Sequence, residues 1–241
     1  MNVARDWQEL AQLDSRWAIL SETDKQSGRW DDDDFFRRGE TDVAELMQHA
    51  NALRKSIRRQ RALDFGCGVG RITRALLPNF SECYGVDISP EMVRQASMLT
   101  PQAHFLVTLH SDLRVFPDSH FDFVYSVLVL QHQSSRGVIL GYLREFVRVL
   151  APGGLLVFQL PTQTSLKQRL GVRWRLYSLL RFGGFSSPFL YARGLYPIRM
   201  SSIAQKCVVA QLTYCGARVL AIAADVWAGK GNCSRTYWMT K

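Results

Sequence analysis

The chain has 241 residues, 47% hydrophobic and 21% charged, which suits one α/β domain with a sizeable core. Its start carries Arg5, Asp6 and Glu9 without an apolar run, and no stretch approaches the length of a membrane span, so neither a secretory leader nor a spanning helix is expected. The five cysteines form no CxxC pair and no metal-binding spacing, so we expect a cytoplasmic protein with reduced thiols and no metal site.

The net charge of +9 is unevenly distributed along the chain. Residues 1–160 contain 18 basic and 20 acidic residues, whereas residues 161–241 contain 12 basic residues and a single acid, Asp225. The basic character therefore belongs to the C-terminal third. Such a segment suits an anionic partner, although basic runs also occur as ordinary solvated faces.

A helical cap is predicted for residues 1–60, ahead of the sheet. Apolar residues recur at helical spacing in its first part: Leu10, Leu13, Trp17 and Leu20. The acidic run 31–34, with the two phenylalanines after it, is predicted to start a helix of the cap, and the alternative is a lid whose rings close over a ligand. Thr41 is predicted to cap a second helix, and a basic junction over 54–61 leads into the first strand.

The clearest motif is a buried strand that leads into a glycine-rich turn and a helix. Residues 62–73 have the sequence Ala-Leu-Asp-Phe-Gly-Cys-Gly-Val-Gly-Arg-Ile-Thr. Gly66, Gly68 and Gly70 alternate, so the backbone can adopt positive φ and a ligand can approach the main chain. A nicotinamide-binding fingerprint would need another glycine where Arg71 stands. A glycine turn before a helix N-terminus predicts a cofactor cradle in an open α/β sheet.

The pattern Asp-x-Gly-x-Gly-x-Gly, which begins at Asp64, resembles the first motif of the class I S-adenosylmethionine-dependent methyltransferases. The resemblance is to the small-molecule enzymes of the type 11 and type 25 groups, and it implies S-adenosylmethionine as the cofactor. Asp64 is then expected to bind the amine of the methionine tail, directly or through water. The N–H groups of the turn are expected to bind the carboxylate of the same tail. The alternative is a tight strand-to-helix turn without a ligand.

A second strand over 82–86 is predicted to end at Asp87. Ser89 can cap the following helix, and Pro90 suits its first turn. Seventeen residues separate Gly70 from Asp87, and a carboxylate at the end of the second strand can accept hydrogen bonds from both ribose hydroxyls. The resemblance gives Asp87 that role.

A third strand is predicted over 103–107, and His110 and Ser111 follow it in a turn. In the methyltransferases that the chain resembles, an aspartate here meets the adenine amino group and its neighbour packs on the ring, and Asp112 and Leu113 match these positions. On its own, Ser-Asp would be a simple turn. The resemblance implies cofactor contacts from further residues in and beside these motifs: Gly66, Cys67, Gly68, Gly70, Arg71, Ile88, Met92 and Val127.

The later core is predicted as a strand over 121–127, a helix over 141–150 and a strand over 155–160. The stretch 143–156, Leu-Arg-Glu-Phe-Val-Arg-Val-Leu-Ala-Pro-Gly-Gly-Leu-Leu, is similar to the late motif of the same family. The matches cover about residues 61–160 in the expected order. They imply a doubly wound, Rossmann-like α/β fold whose seven strands have the order 3-2-1-4-5-7-6, with the last strand antiparallel.

His132 follows the fourth strand, close to where the transferred methyl group is expected to point. It is the candidate general base for an oxygen or nitrogen acceptor that must lose a proton. The alternative is a histidine at a helix start or in the pocket wall. The segment after Tyr125 lacks the Asn/Asp-Pro-Pro-aromatic signature of related nucleic-acid methylating enzymes, so nucleic acid is not the predicted acceptor.

Residues 162–200 exceed what a short connection needs, and they contain seven basic and no acidic residues. Four of their apolar residues are predicted to share one helical face: Leu166, Leu170, Trp174 and Tyr177. Three hypotheses compete: a lid over the acceptor, a basic helix on an anionic membrane, and a clamp for single-stranded nucleic acid. An ordinary helical subdomain overlaps with the first. Under the lid hypothesis, Arg173, Arg175 and Tyr191 bind the acceptor.

The C-terminal part is predicted as a helix over 201–215 that starts at Ser201 or Ser202. Two β-like runs, 217–224 and 235–240, then form a hairpin that closes the sheet.

The chain is thus predicted to be one domain with a helical cap (1–60), a cofactor-binding core (61–161), a basic aromatic insert (162–200) and a C-terminal helix and hairpin (201–241). The predicted function is O- or N-methylation of an anionic or amphiphilic small molecule. The alternative is a non-catalytic module of the same fold that binds an anionic partner or membrane through its basic third. Membrane contact would place the protein at the inner membrane face, and the sequence indicates no oligomeric state.

Overall fold

The computed structural model describes residues 3–53, 56–109 and 112–241. Parts of the predicted basic junction, at 54–55, and of the predicted turn, at 110–111, lie outside these residues.

The described residues form a single sheet whose strands are β1 (Arg61–Phe65), β2 (Glu82–Asp87), β3 (His104–Val107), β4 (Phe121–Ser126), β5 (Leu150–Gln163), β6 (Arg218–Asp225) and β7 (Cys233–Thr240). Their order across the sheet is β3-β2-β1-β4-β5-β7-β6. Strands β1 to β5 are parallel, and β7 runs antiparallel to both of its neighbours. The predicted sheet order and fold class are therefore confirmed.

The helices of the described residues are α1 (Val3–Ile19), α2 (Asp32–Ala52), α3 (Arg71–Leu76), α4 (Pro90–Leu99), α5 (Arg136–Val149), α6 (Leu166–Leu170), α7 (Val172–Phe182), α8 (Ser187–Tyr191) and α9 (Gln205–Tyr214). Helix α1 is interrupted at Asp14, whose Oδ1 accepts the N–H of Trp17 at 3.2 Å and so caps the second half. None of these helices is long and apolar enough to cross a bilayer.

The central strands are covered by helices on both faces. All six residues of β4 are buried, which is typical of a parallel strand between two helical layers. Successive side chains point to opposite faces, so Val124 packs with Phe146 of α5 while Phe123 packs in a second cluster with Leu76 of α3. The site at the carboxyl ends of β1, β2 and β4 therefore stands on a packed core.

A third apolar cluster, the cap cluster, joins the N-terminal helices to the insert beside the glycine turn. It includes Leu10, Trp17, Trp30, Phe35, Phe36, Val69, Met92, Tyr177, Leu190 and Tyr191. Two hydrogen bonds connect the same parts: Ser187 Oγ donates to Glu9 Oε2 at 2.6 Å, and Gln26 Nε2 donates to Tyr196 Oη at 2.7 Å. The cap and the insert, which are far apart in the sequence, thus form one packed unit.

Helix α2 is one continuous helix whose N-cap lies ten residues before the predicted cap at Thr41. Asp31 is its N-cap, because its Oδ1 accepts the N–H of Asp34 at 3.0 Å. Thr41 lies inside the helix, where its Oγ1 donates to the carbonyl oxygen of Arg37 at 3.1 Å. The prediction of Thr41 as a cap was therefore wrong, and the acidic run is a helix start whose two phenylalanines are buried in the cap cluster.

Two boundaries in the C-terminal part also differ from prediction. Helix α9 begins after Ala204, because the N–H of Ser201 donates to the Gln131 carbonyl at 2.7 Å and the N–H of Ile203 donates to the Pro161 carbonyl at 3.0 Å. These bonds hold the linker before the helix. In the insert, Gly171 has φ of +60° and separates α6 from α7, so the predicted continuous helical face is interrupted.

Candidate active site

The glycine turn connects β1 to α3 at the carboxyl edge of the sheet. The N–H groups of Gly66 and Cys67 donate to the Val86 carbonyl of β2 at 2.8 and 3.0 Å. Gly66, Gly68 and Gly70 have φ values of +76°, +54° and +85°. Residues other than glycine adopt this left-handed region at a cost, so three glycines in alternation are what this turn requires.

Two of these glycines also allow close approach of the cavity wall. A Cβ on Gly66 would overlap Cγ2 of Val129, and a Cβ on Gly68 would overlap Cδ1 of Ile19 at the end of α1. A Cβ on Gly70 would lie 3.0 Å from the ring of Phe105. The turn is therefore pressed between the cap, the segment after β4 and the sheet.

Two carboxylates flank the turn. Asp64 Oδ2 accepts the hydroxyl proton of Thr73 at 2.7 Å, and burial raises the pKa of Asp64 to about 6 against the opposing effect of that hydrogen bond. Asp87 accepts the N–H of Gly68 on Oδ2 at 3.0 Å and the N–H of Ser89 on Oδ1 at 2.9 Å. Burial also raises the pKa of Asp87, and these backbone bonds oppose the shift. Each oxygen keeps a lone pair for a further donor.

Arg71 is a buried cation beside the turn. Its Nη1 lies 2.5 Å from Oδ2 of Asp42 in α2, an ion pair with little exposure on the arginine side. Its Nε is buried and has no hydrogen-bond partner among the described residues. A buried donor without a partner is costly, which makes this N–H a fitting partner for an anionic group of a ligand.

A cavity of about 550 Å³ opens in front of the turn. Nine of the residues predicted to bind the cofactor line it: Asp64, Gly66, Cys67, Gly68, Arg71, Asp87, Ile88, Met92 and Val127. Cys67 is buried there, and burial raises the pKa of its thiol well above the usual range. This half of the cavity therefore combines exposed main chain, two carboxylates and apolar walls.

Three other predicted cofactor residues lie outside the described cavity wall. Gly70 is the N-cap of α3 and packs toward Phe105. Leu113 is fully buried in the core, and its N–H donates to Glu145 Oε2 at 2.9 Å. Asp112 is half-buried and pairs with Arg114 at 3.3 Å.

The other half of the cavity is apolar and was not predicted. Its wall comes from α1 and the residue after it, the end of the insert and the loop between β6 and β7: Trp7, Leu20, Ile198, Met200, Val226 and Trp227. These residues meet only through the fold, and no local pattern in the sequence joins them. The basic third of the chain contributes apolar side chains to the site.

His132 lies at this apolar half, with its ring 5.5 Å from that of Trp7. Its Nδ1 is 2.7 Å from the Arg199 carbonyl oxygen, which can only accept, so Nδ1 carries the proton and Nε2 has the free electron pair. Burial lowers the pKa of His132, although the bond to Arg199 opposes the shift. The imidazole is thus neutral near pH 7 and can accept a proton on Nε2.

A chain of buried amides holds this imidazole. Gln131 Nε2 lies 3.1 Å from His132 Nε2 and acts as its donor. Gln131 Oε1 accepts from Gln159 Nε2 at 3.2 Å, and Gln159 Oε1 accepts the N–H of Leu128 at 3.1 Å. Gln159 Nε2 also donates to Ser234 Oγ at 2.6 Å, so strand β7 supports the site through β5.

The predicted acceptor residues are not among the described residues that line the cavity. Arg173 and Arg175 are exposed on α7. Tyr191 is buried in the cap cluster, with its ring 5.9 Å from Tyr177 and 5.3 Å from Tyr196. Tyr191 packs inside the insert because the short helix α8 turns it toward α7 and the cap.

The strand order, the glycine turn and the carboxylate at the end of β2 together form the Rossmann-like fold that solved S-adenosylmethionine-dependent methyltransferases share. Residues 63–158 match the family model described as a methyltransferase domain. The whole fold is similar to magnesium protoporphyrin IX methyltransferase from Synechocystis PCC 6803, solved with S-adenosylhomocysteine bound, at a TM-score of 0.63 and 19% identity over 99% of this chain and 98% of that one.

Sequence relatives match the same core. The chain is 39% identical over 99 residues to 2-methyl-6-phytyl-1,4-hydroquinone methyltransferase from Synechocystis, covering 39% of this chain and 30% of that protein. It is 32% identical over 105 residues to the chloroplastic tocopherol O-methyltransferase of Arabidopsis thaliana, covering 41% and 29%. It is 30% identical over 152 residues to malonyl-[acyl-carrier protein] O-methyltransferase from Halorhodospira halophila, covering 61% and 49%. The chain thus spans half or less of these relatives.

Proposed function

We propose that this protein is an enzyme that transfers a methyl group from S-adenosylmethionine to a small, largely apolar acceptor. The observation that carries the proposal is the single cavity in which the glycine turn and two carboxylates face one half and His132 and an apolar wall face the other. The intact motif disfavours the alternative of a non-catalytic module, because Asp64, Asp87 and all three glycines are retained.

The residues around the turn fit the cofactor. The left-handed glycines bring the main chain of the turn to the cavity wall, and the unpartnered Nε of Arg71 suits the carboxylate of the methionine tail. Asp64 suits the amine of that tail, and Asp87 has lone pairs for the ribose hydroxyls. When bound, the cofactor supplies an electrophilic methyl group on a sulfonium. The protein holds and orients the two reactants and excludes water from them.

We infer that His132 removes the proton from an O–H or N–H acceptor. Its Nδ1 is occupied by the Arg199 carbonyl, so the proton goes to Nε2, and the resulting imidazolium is stabilised at Nδ1 by the same carbonyl. In this role the acceptor displaces the Gln131 amide from Nε2. Before the acceptor binds, Gln131 and Gln159 are positioning residues that hold the ring, and the Arg199 carbonyl holds it afterwards.

The charges that line the cavity favour an apolar or amphiphilic acceptor over an anionic one. Apart from Asp64, Asp87 and Arg71, which are assigned to the cofactor, the described lining has one carboxylate, Glu22, and no lysine or arginine that could pair with an anionic acceptor. An anionic acceptor would meet repulsion there, whereas a flat apolar molecule can pack against Trp7 and the rest of the apolar half. Two sequence relatives are named for a phytyl hydroquinone and for tocopherol, which supports the same class.

Calorimetry with S-adenosylhomocysteine tests the cofactor half of the proposal. We expect binding at one site per chain, and we expect Asp87→Ala to weaken it by about 1–3 kcal/mol, because bonds to a charged acceptor are lost. Glu40→Ala removes an exposed carboxylate of α2 and serves as the matched control with unchanged affinity. Absence of binding to the wild type would favour the non-catalytic module. Equal affinity in Asp87→Ala would mean that the ribose lies elsewhere.

A further inference from the structure

Helix α7 turns an apolar side toward solvent. Its inner side packs on the cap cluster through Tyr177, which is buried, and Leu180. The opposite side exposes four large apolar residues: Val172, Leu176, Leu179 and Phe182. They recur at intervals of four, three and three, so they form one stripe, and Phe182 is 93% exposed. An ordinary surface helix carries polar residues on this side.

The exposed apolar residues continue on both sides of α7. We define the apolar stripe as Leu166, Leu170, Val172, Leu176, Leu179, Phe182, Phe185 and Phe189. It accounts for eight of the 17 large apolar side chains that are exposed in the described residues. Concentration of this kind marks an interaction surface rather than scattered exposure.

The charge around the apolar stripe has one sign. Residues 162–200 carry seven basic and no acidic residues. Arg175 is exposed between the stripe residues of α7 and Arg173 is exposed one turn before Tyr177, and within the described residues neither forms a salt bridge. Glu9 of α1 reaches this segment from the inner side, where it lies 3.9 Å from Arg181. The outer surface therefore joins apolar side chains to uncompensated positive charge.

We propose that the apolar stripe and its flanking arginines dock on an anionic lipid bilayer, with α7 lying in the plane of the interface. The apolar side chains enter the boundary of the acyl chains while the arginines bind headgroup phosphates. A protein partner or a second copy could cover the stripe, but a second copy would bring the exposed arginines of two like-charged segments together. This inference does not depend on methyl transfer. Ile198 and Met200, at the end of the same segment, line the cavity.

Vesicle co-sedimentation of the full chain, without acceptor or cofactor, tests the proposal. The wild type should bind phosphatidylcholine vesicles that contain phosphatidylglycerol and not phosphatidylcholine alone, and added salt should release it. The pairs Leu176→Ser with Leu179→Ser, and Arg173→Gln with Arg175→Gln, should each weaken binding about tenfold or more. The control pair Val115→Ser with Tyr214→Ser removes exposed apolar residues elsewhere and should bind like the wild type.

Three results would overturn the proposal. The first is failure of the wild type to bind anionic vesicles, and the second is equal weakening by the control pair. The third is a dimer in sedimentation velocity that the Leu176 and Leu179 pair abolishes, which would assign the stripe to contact between copies. Unchanged thermal unfolding and S-adenosylhomocysteine binding in the variants show that the fold is retained, so the vesicle result stands apart from the proposed enzyme function.

Discussion

His132 is fixed at Nδ1 by a carbonyl oxygen that cannot donate, and this single contact determines which nitrogen is free to act. His132→Ala should therefore lower kcat by about 100-fold or more, because the variant lacks the base that removes the proton of the acceptor. Affinity for S-adenosylhomocysteine should stay within error, since the glycine turn is untouched. Steady-state kinetics with an identified acceptor measures kcat, and calorimetry measures the affinity for S-adenosylhomocysteine. Near-normal turnover would mean that His132 only lines the cavity.

The lowered pKa of His132 also predicts a pH profile. Neutral imidazole is the reactive form, so kcat at saturating cofactor should fall as the pH drops through the pKa of His132, which burial holds below its usual value of 6.5. Activity should be independent of this group at pH 7 and above. An acid limb centred above pH 6.5 would contradict the assignment.

Asp64 gives a separate pH effect on cofactor binding. Burial raises its pKa to about 6, so it is largely ionised at pH 7 and protonated at pH 5. The dissociation constant of S-adenosylhomocysteine should rise as the pH falls, about tenfold per unit once below the pKa, because protonation removes the charge that attracts the amine. Asp64→Asn should bind weakly and lose most of this dependence. Calorimetry across pH 5–8 distinguishes the two proteins.

At the residue scale, the sequence predicts the site residues that belong to local motifs. It does not predict the site residues that distant segments contribute through the fold. Asp64 and Asp87 lie where the motif and the strand end indicate, because a few neighbouring residues determine their place. Gln159 could not be predicted, since its role arises from pairing β5 with both β4 and β7. Trp227 enters the cavity from a hairpin loop that is distant in the sequence.

At the scale of the elements, the turn after β1 is tightly packed, and a comparison of two glycines with equal φ tests the energetic effect of this packing. Gly66 and Gly153 both have φ of +76°, but only Gly66 has a neighbour in the way, Val129. Gly153→Ala should cost about 1 kcal/mol in the free energy of unfolding, from backbone strain alone. Gly66→Ala should cost about 2 kcal/mol more, from overpacking, and should weaken cofactor binding. Urea unfolding gives the free energy of unfolding of the two variants, and calorimetry gives their cofactor affinity. Equal losses of stability would show that the Val129 side chain moves aside without an energetic cost.

The elements were well predicted where local signals agree. Ser89 caps α4 and Pro90 opens it, and both signals lie next to an apolar pattern. The acidic run was correctly predicted to begin a helix, but Thr41 was wrongly given a second start because a threonine before an apolar pattern is typical of a cap. The start of α9 was missed because long-range hydrogen bonds from Ser201 and Ile203 hold the segment before it. The break at Gly171 was missed because apolar residues on both sides keep helical spacing through a left-handed glycine.

In the molecule as a whole, the cap and the insert share the cap cluster beside the cofactor half of the cavity, so ligand binding should stabilise both. S-adenosylhomocysteine at a hundredfold excess over its dissociation constant should add about 2.7 kcal/mol to the free energy of unfolding, which for a chain of this size raises Tm by about 5–10 °C. Differential scanning calorimetry measures the shift. Asp87→Ala at the same ligand concentration should show a smaller one, and an equal shift would place the stabilisation outside this site.

The burial of Cys67 in the glycine turn has a practical consequence. Cys207 and Cys233 are exposed, whereas Cys67 and Cys83 are buried, and burial raises the pKa of Cys83 to about 12. A thiol reagent at neutral pH should therefore modify the exposed pair quickly and reach Cys67 only when the turn opens. Mass spectrometry of the labelled chain then measures the rate at which Cys67 is modified. This rate reports how often the glycine turn opens, and the measurement needs no introduced cysteine.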